Sequence, residues 1–125
     1  MPEAAAIIRS FEQPDEHRDF PLGRFDLVEI GGMTLGRAEY EPGWRWSEHV
    51  GAAQGQAVCE IAHLGLVLSG RNRIEMTDGR VFEIGPGDLF EIGPGHDSAV
   101  IGDERYVSIH FLGADQYANE GSTSR

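Results

Sequence analysis

The sequence has a single cysteine, Cys59, so no disulfide can form within the chain. Basic residues are scarce: ten Lys plus Arg stand against 21 Asp plus Glu, a formal net charge of −11. Such a surface repels polyanions, so we expect no nucleic acid and no membrane as partner. No stretch approaches the ~20 apolar residues of a transmembrane helix, and the N-terminus lacks the basic and apolar regions of a secretory signal. With a lone cysteine that suits a reducing compartment, these absences predict a cytoplasmic protein.

Glycine, in contrast, is abundant: the 17 glycines are about twice the usual share of roughly 7%. They fall between short apolar runs, with Asp78-Gly79 as a strong hairpin signal, and therefore indicate the turns of an all-β fold. We predict nine strands and no internal helix, which implies a sandwich or a closed barrel. The predicted strands are residues 25–30, 33–40, 44–50, 58–68, 71–76, 80–84, 89–92, 98–101 and 105–111.

The ends of the chain lack this pattern. Residues 1–24 contain Pro14 and Pro21 among many charges, which favours an extended arm on the surface of the barrel. Residues 25–113 form the predicted barrel domain. Residues 114–125 form a tail that we expect to be partly disordered, most clearly in its last five residues.

Glycines and histidines recur at fixed spacings. The spacings are Gly43-x5-His49, His63-x6-Gly70, Gly85-Pro86-Gly87-Asp88 and Gly93-Pro94-Gly95-His96. They resemble the two signature motifs of the cupin family of small β-barrels, over about residues 40–111. The resemblance implies a double-stranded β-helix, the jelly-roll barrel, with ligand-binding side chains in its lumen.

The ligand positions depart from the family pattern. His49 matches the first family histidine, His63 stands where the family has a glutamate, and Ser98 stands where it has the last histidine. His96 lies two residues before Ser98, roughly 6.6 Å along the same strand face, so it can approach the same lumen. We predict that His49, His63 and His96 bind a divalent metal ion (Zn, Fe, Mn or Ni) with one position left open. The alternative is a metal-free lumen in which the histidines hydrogen-bond an organic ligand.

Strand alternation extends the predicted site. If residues 44–50 form a strand, Arg45 and Ser47 share the face of His49, and the Arg45 guanidinium could bind a carboxylate or phosphate. Gly65 would leave room beside His63. These three residues predict a pocket for a small polar molecule.

Cys59 and His63 form a Cys-x3-His element that looks like one found in a subgroup of cupins. On a continuous strand they would stand about 13 Å apart, too far to bind one metal unless the strand breaks, for example by a bulge at Ala62. We therefore favour a buried apolar role for Cys59, and a structural role for His110.

The same alternation turns Trp44 and Trp46 outward, where a homodimer interface or the N-terminal arm would cover them; packing in the core is the alternative. The sequence thus predicts a barrel that binds a metal ion and a small polar molecule. A metalloenzyme (an oxygenase, isomerase or lyase) and a metal-free sensory or interaction protein are the alternatives.

Overall fold

The computed structural model describes residues 5–117, which form two antiparallel sheets. The strands are β1 (Glu16–Phe20), β2 (Gly23–Ile30), β3 (Met33–Tyr40), β4 (His63–Ser69), β5 (Arg71–Met76), β6 (Val81–Ile84), β7 (Leu89–Ile92), β8 (His96–Ile101) and β9 (Tyr106–Leu112). The larger sheet has the order β1-β2-β3-β9-β4-β7, and the smaller has β6-β5-β8. The hydrophobic core draws on both sheets.

The strands predicted from the turn residues mostly agree with the observed ones. β3, β5 and β7 have the predicted bounds, and β5 pairs with β6 across the predicted hairpin, where Gly79 has a φ of +93°. A positive φ is one that glycine adopts without steric cost. The all-β prediction is therefore confirmed.

The predicted strand over residues 44–50 is wrong. The chain there forms two single-turn helices, α1 (Trp46–His49) and α2 (Gly51–Gln54). Trp46 and Val50, four positions apart, are both 3% exposed, because helical spacing points both side chains to the core. Gly55 ends α2 in the left-handed conformation with a φ of +69°.

The two tryptophans are consequently buried within one chain. Trp44 is 1% exposed and its ring stacks on that of Tyr40, with centroids 3.8 Å apart. The expectation that both indoles face outward is wrong, and packing in the core is what the structure shows. The homodimer remains a prediction, but the indoles no longer provide a reason for it.

Segments near both ends of residues 5–117 pack on the barrel. Part of the N-terminal arm is strand β1, paired with β2. Ala114 and Tyr117, assigned above to the tail, are 1% and 3% exposed, and the Tyr40 hydroxyl donates to the Tyr117 hydroxyl at 2.7 Å. The last five residues, predicted to be disordered, lie outside the described residues. No helix within residues 5–117 has the length and apolar character to cross a membrane.

Candidate metal centre

The site begins with a backbone bridge between Cys59 and the first residue of β8. The Cys59 N–H donates to the His96 carbonyl at 2.7 Å, and the His96 N–H donates to the Cys59 carbonyl at 3.2 Å. Gly95, with a φ of +88°, also donates its N–H to the Cys59 carbonyl. The turn before β8 thereby sets the thiol and an imidazole side by side.

His63 joins them from the start of β4. The bridge at Cys59 and the strand at His63 are separated by residues 60–62, which are not in a strand, so the 13 Å separation of a continuous strand does not apply. Cys59 Sγ lies 3.5 Å from His63 Nε2. The ligand atoms of Cys59, His63 and His96 all lie within 4.8 Å of one another, and all three residues are buried.

A hydrogen bond determines which nitrogen of His96 is available. Its Nδ1 lies 2.8 Å from the Gly93 carbonyl oxygen, which can only accept. Nδ1 therefore carries the proton, and Nε2 presents a lone pair. A ring nitrogen held in this way by a backbone carbonyl is typical of metal-binding histidines.

Burial keeps the donors uncharged. It lowers the pKa of His63 to about 2, with the nearby His110 and His96 adding to the effect, and it also lowers the pKa of His96. It raises the pKa of the Cys59 thiol to about 11, so the thiol holds its proton at neutral pH. Two neutral imidazoles and one protonated thiol face one another, and only the thiol must lose a proton to become a ligand.

His110 lies next to this cluster on β9. Its ring centroid is 5.2 Å from that of His63, its Nε2 is 3.1 Å from Ser108 Oγ, and its pKa is lowered by burial to about 4. Tyr117 packs on His63 with ring centroids 5.3 Å apart. The His63 ring therefore packs edge-on against two side chains that also contact each other, with centroids 6.1 Å apart.

A cavity of about 30 Å³ adjoins the donors and is lined by His63, His96 and His110. That volume accommodates one or two water molecules or the end of a ligand. Four side chains that line it carry a buried polar atom with no hydrogen-bond partner in the described part of the chain. These atoms are Trp46 Nε1, His63 Nδ1, Asn72 Oδ1 and His110 Nδ1. Buried polar atoms are seldom left unpaired, so the cavity is suited to a polar occupant.

The structure does not bring His49 to this cluster. It ends helix α1, and its Nδ1 accepts a hydrogen bond from the Arg45 N–H at 2.9 Å. Its predicted position assumed a strand, and the helix turns the side chain elsewhere. Cys59 stands in the cluster instead.

Arg45 and Ser47 are engaged with acidic partners and do not line the cavity. Arg45 Nη1 lies 3.1 Å from Glu75 Oε1 and 2.9 Å from Asp97 Oδ2, and these two partners, Glu75 first, raise its pKa further. The Ser47 N–H and hydroxyl both donate to Asp97, at 2.9 and 2.8 Å. This network fastens helix α1 to β8, next to His96.

Gly65 faces inward, as predicted, but the space beside it is filled. A Cβ at this position would lie 2.6 Å from Phe90 Cζ and would also clash with the Ile109 carbonyl oxygen. Glycine is required there for close packing, and it does not widen the lumen.

The Cys-x3-His spacing was the sequence signal for Cys59, for which a buried apolar role was favoured. The spacing brings Cys59 to His63 only if the chain bends between them. Residues 60–62, Glu-Ile-Ala, contain neither glycine nor proline, so nothing in the sequence marks that bend.

Solved structures resemble this fold, although no protein-family model and no curated protein matches the chain by sequence. An oxalate decarboxylase from Lactobacillus farciminis, crystallised with formate, superposes with a TM-score of 0.63 at 16% identity, over 92% of this chain and 35% of its own. This chain therefore spans about a third of that protein. An ectoine synthase from P. lautus superposes with a TM-score of 0.60 at 13% identity, over 86% of this chain and 78% of its own.

A cupin-2 domain from Rhodospirillum rubrum superposes with a TM-score of 0.54 at 19% identity, over 86% of this chain and 66% of its own. At these identities the likeness concerns the fold. It agrees with the turn motifs of the sequence and with the two antiparallel sheets. The chain has the jelly-roll fold of the cupins.

Proposed function

We propose that this protein binds a divalent transition-metal ion through Cys59, His63 and His96. The observation that carries the proposal is the convergence of one buried thiol and two buried imidazoles within 4.8 Å. Thiolate and imidazole together suit Zn²⁺ best, also suit iron and nickel, and suit Mn²⁺ poorly because manganese prefers oxygen.

The donor geometry supports this choice. Bond lengths of about 2.3 Å to sulfur and 2.05 Å to nitrogen put tetrahedral S and N ligands about 3.5 Å apart. Cys59 Sγ and His63 Nε2 are 3.5 Å apart. The Gly93 carbonyl holds His96 with Nε2 free, so the donors need little rearrangement.

A metalloenzyme is the second candidate, and the cavity favours it. Three protein ligands leave a position open on a four-coordinate ion, and an ion so bound would supply Lewis acidity there. The cavity of about 30 Å³ lies against two of the donors and presents unpaired polar atoms. Two structures with this fold are enzymes by name, the oxalate decarboxylase and the ectoine synthase.

Elemental analysis tests the proposal on protein purified without added metal or chelator. We expect about one equivalent of a transition metal in the parent protein and a large loss in Cys59→Ser and His96→Gln. His49→Gln is the matched control, and it should retain the metal because His49 lies outside the cluster.

Cobalt(II) replacement identifies the sulfur ligand. The parent should show a thiolate-to-cobalt charge-transfer band that Cys59→Ser lacks. Protein that neither contains metal nor takes up cobalt or zinc would refute the proposal and support a metal-free barrel. Loss of metal in His49→Gln but not in Cys59→Ser would restore the three-histidine site predicted from the sequence.

A further inference from the structure

A second, larger space lies between the edges of the two sheets. β6 is an edge strand of the smaller sheet and β7 of the larger, and a groove of about 500 Å³ separates them. Its walls carry exposed apolar side chains: Phe82 on β6 is 49% exposed and Leu89 on β7 is 75% exposed. This volume falls in the usual range for small-molecule pockets, roughly 300–1,000 Å³.

The groove adjoins the donor cavity. Ile74, Ile84, Phe90 and Ile92 line both spaces, so one apolar wall is shared between them. These four side chains form an apolar boundary between the groove and the cavity, and the cavity on the other side of it presents the unpaired polar atoms.

The inner end has specific requirements. Trp46 Nε1 can only donate a hydrogen bond and Asn72 Oδ1 can only accept one, and both are buried without a partner in residues 5–117. A group that accepts from the first and donates to the second satisfies both. A hydroxyl can both accept and donate, so it is the smallest group whose chemistry matches both atoms.

The charges around the groove disfavour an anion. Its charged residues are three acids, Glu83, Asp88 and Glu91, and one base, Arg80. Arg80 is paired with Asp78 at 2.8 Å and Glu83 with Arg71 and Arg73 at 3.8 Å, so Asp88 and Glu91 leave the groove net negative. The chain as a whole carries a formal charge of −11. A neutral head group is consequently favoured over a carboxylate in the metal-free protein.

We propose that the groove and the cavity together bind one amphiphilic small molecule, its apolar body between β6 and β7 and its neutral hydroxyl head at Trp46 and Asn72. The inference rests on the proposed metal site in one respect only, which is that the hydroxyl head would lie near the metal ion in the cavity. Binding of the apolar body does not require the metal.

The test is calorimetric titration of the chelator-treated protein with octanol, and with octanoate as the same body with an anionic head. Octanol should bind saturably, and octanoate at least about tenfold more weakly. Leu89→Asp, at an exposed position of the groove, should weaken octanol at least about tenfold. Met33→Asp is the matched control, because Met33 is 48% exposed outside the groove; it should bind octanol as the parent does.

Two further measurements place the head and separate the two proposals. Trp46→Phe keeps an aromatic ring and removes the N–H donor, so it should weaken the binding of octanol but not that of octane. In cobalt-loaded protein, the addition of octanol should change the visible spectrum. Absence of saturable octanol binding, or equal binding by Leu89→Asp, overturns the inference while leaving the metal site intact. Metal-free protein that binds octanol but never takes up metal overturns the proposed function alone. A dimeric parent that Leu89→Asp converts to a monomer also overturns the inference about the groove, because the groove would then be an interface between two copies.

Discussion

Acid should destabilise the metal-free protein through His63 and His110, which are 4% and 5% exposed. Burial lowers the pKa of His63 to about 2 and that of His110 to about 4. In the unfolded chain an imidazole titrates near 6.5. Below that pH the unfolded chain takes up protons that the folded chain does not, so the stability present above pH ~6.5 is lost as the pH falls toward the folded pKa values.

The size of the effect follows from the linkage relation. Between pH ~6.5 and ~5, each imidazole that stays neutral in the fold lowers the free energy of unfolding by about 1.6 kcal/mol, or about 3 kcal/mol for the pair. His96, whose pKa is also lowered by burial, adds in the same direction. Domains of this size are stable by about 5–15 kcal/mol, so the loss is a large fraction. The carboxyls of Asp15 and Asp78 have pKa values lowered from 3.8 and titrate below this window.

The assay is urea unfolding at several pH values between ~5 and ~6.5, with chelator present, in the parent and in His110→Gln. In the variant, the slope of the free energy of unfolding against pH should be smaller by about 1.4 kcal/mol per pH unit at the acid end, because unfolding takes up one proton fewer. His17→Gln is the control for the loss of one histidine, since that side chain is 51% exposed on β1. A parent whose free energy of unfolding does not change over this range would refute the reasoning.

Three substitutions test the packing around the site. Gly65→Ala should lose about 1–3 kcal/mol in urea unfolding, because its Cβ would overlap the Phe90 ring. Asp97→Asn weakens the contacts with Arg45 and should lower the free energy of unfolding by about 1–3 kcal/mol in the same assay, while an unchanged free energy of unfolding would show that the Arg45–Asp97 ion pair contributes little to stability. Trp44→Ser should lower the free energy of unfolding by about 3–5 kcal/mol, because the indole is buried within one chain. It should not dissociate the predicted homodimer before the chain unfolds, which sedimentation would show.

The sequence was most informative where a turn leaves little conformational choice. Asp78-Gly79 and the Gly-Pro-Gly segments admit few backbone conformations, so they separated β5 from β6 and β7 from β8 correctly. Residues 44–50 offered no such constraint. Trp44 and Trp46 fit an alternating strand, but Trp46 and Val50 equally fit a helical turn, and packing against the core decided between them.

The candidate site shows the same division. His63 was placed correctly on an inward-facing position, because alternation along β4 is regular: His63, Gly65 and Val67 are buried. His49 was misplaced because its face depended on the wrong element. Cys59 could be recognised but not placed, because its approach to His63 depends on a bend that tertiary contacts impose, chiefly the backbone bridge to His96.

The position of β9 has a consequence for the order of folding. β9 lies between β3 and β4 in the larger sheet, and Gly36 pairs with His110 across most of the length of the chain. Sheets built from such distant pairings fold slowly, in milliseconds to seconds, because the loop must close before the contacts form. Until β9 inserts, β3 and β4 each expose an unpaired edge that other chains can join. The protein is therefore most prone to aggregation between the synthesis of β4 and the docking of β9.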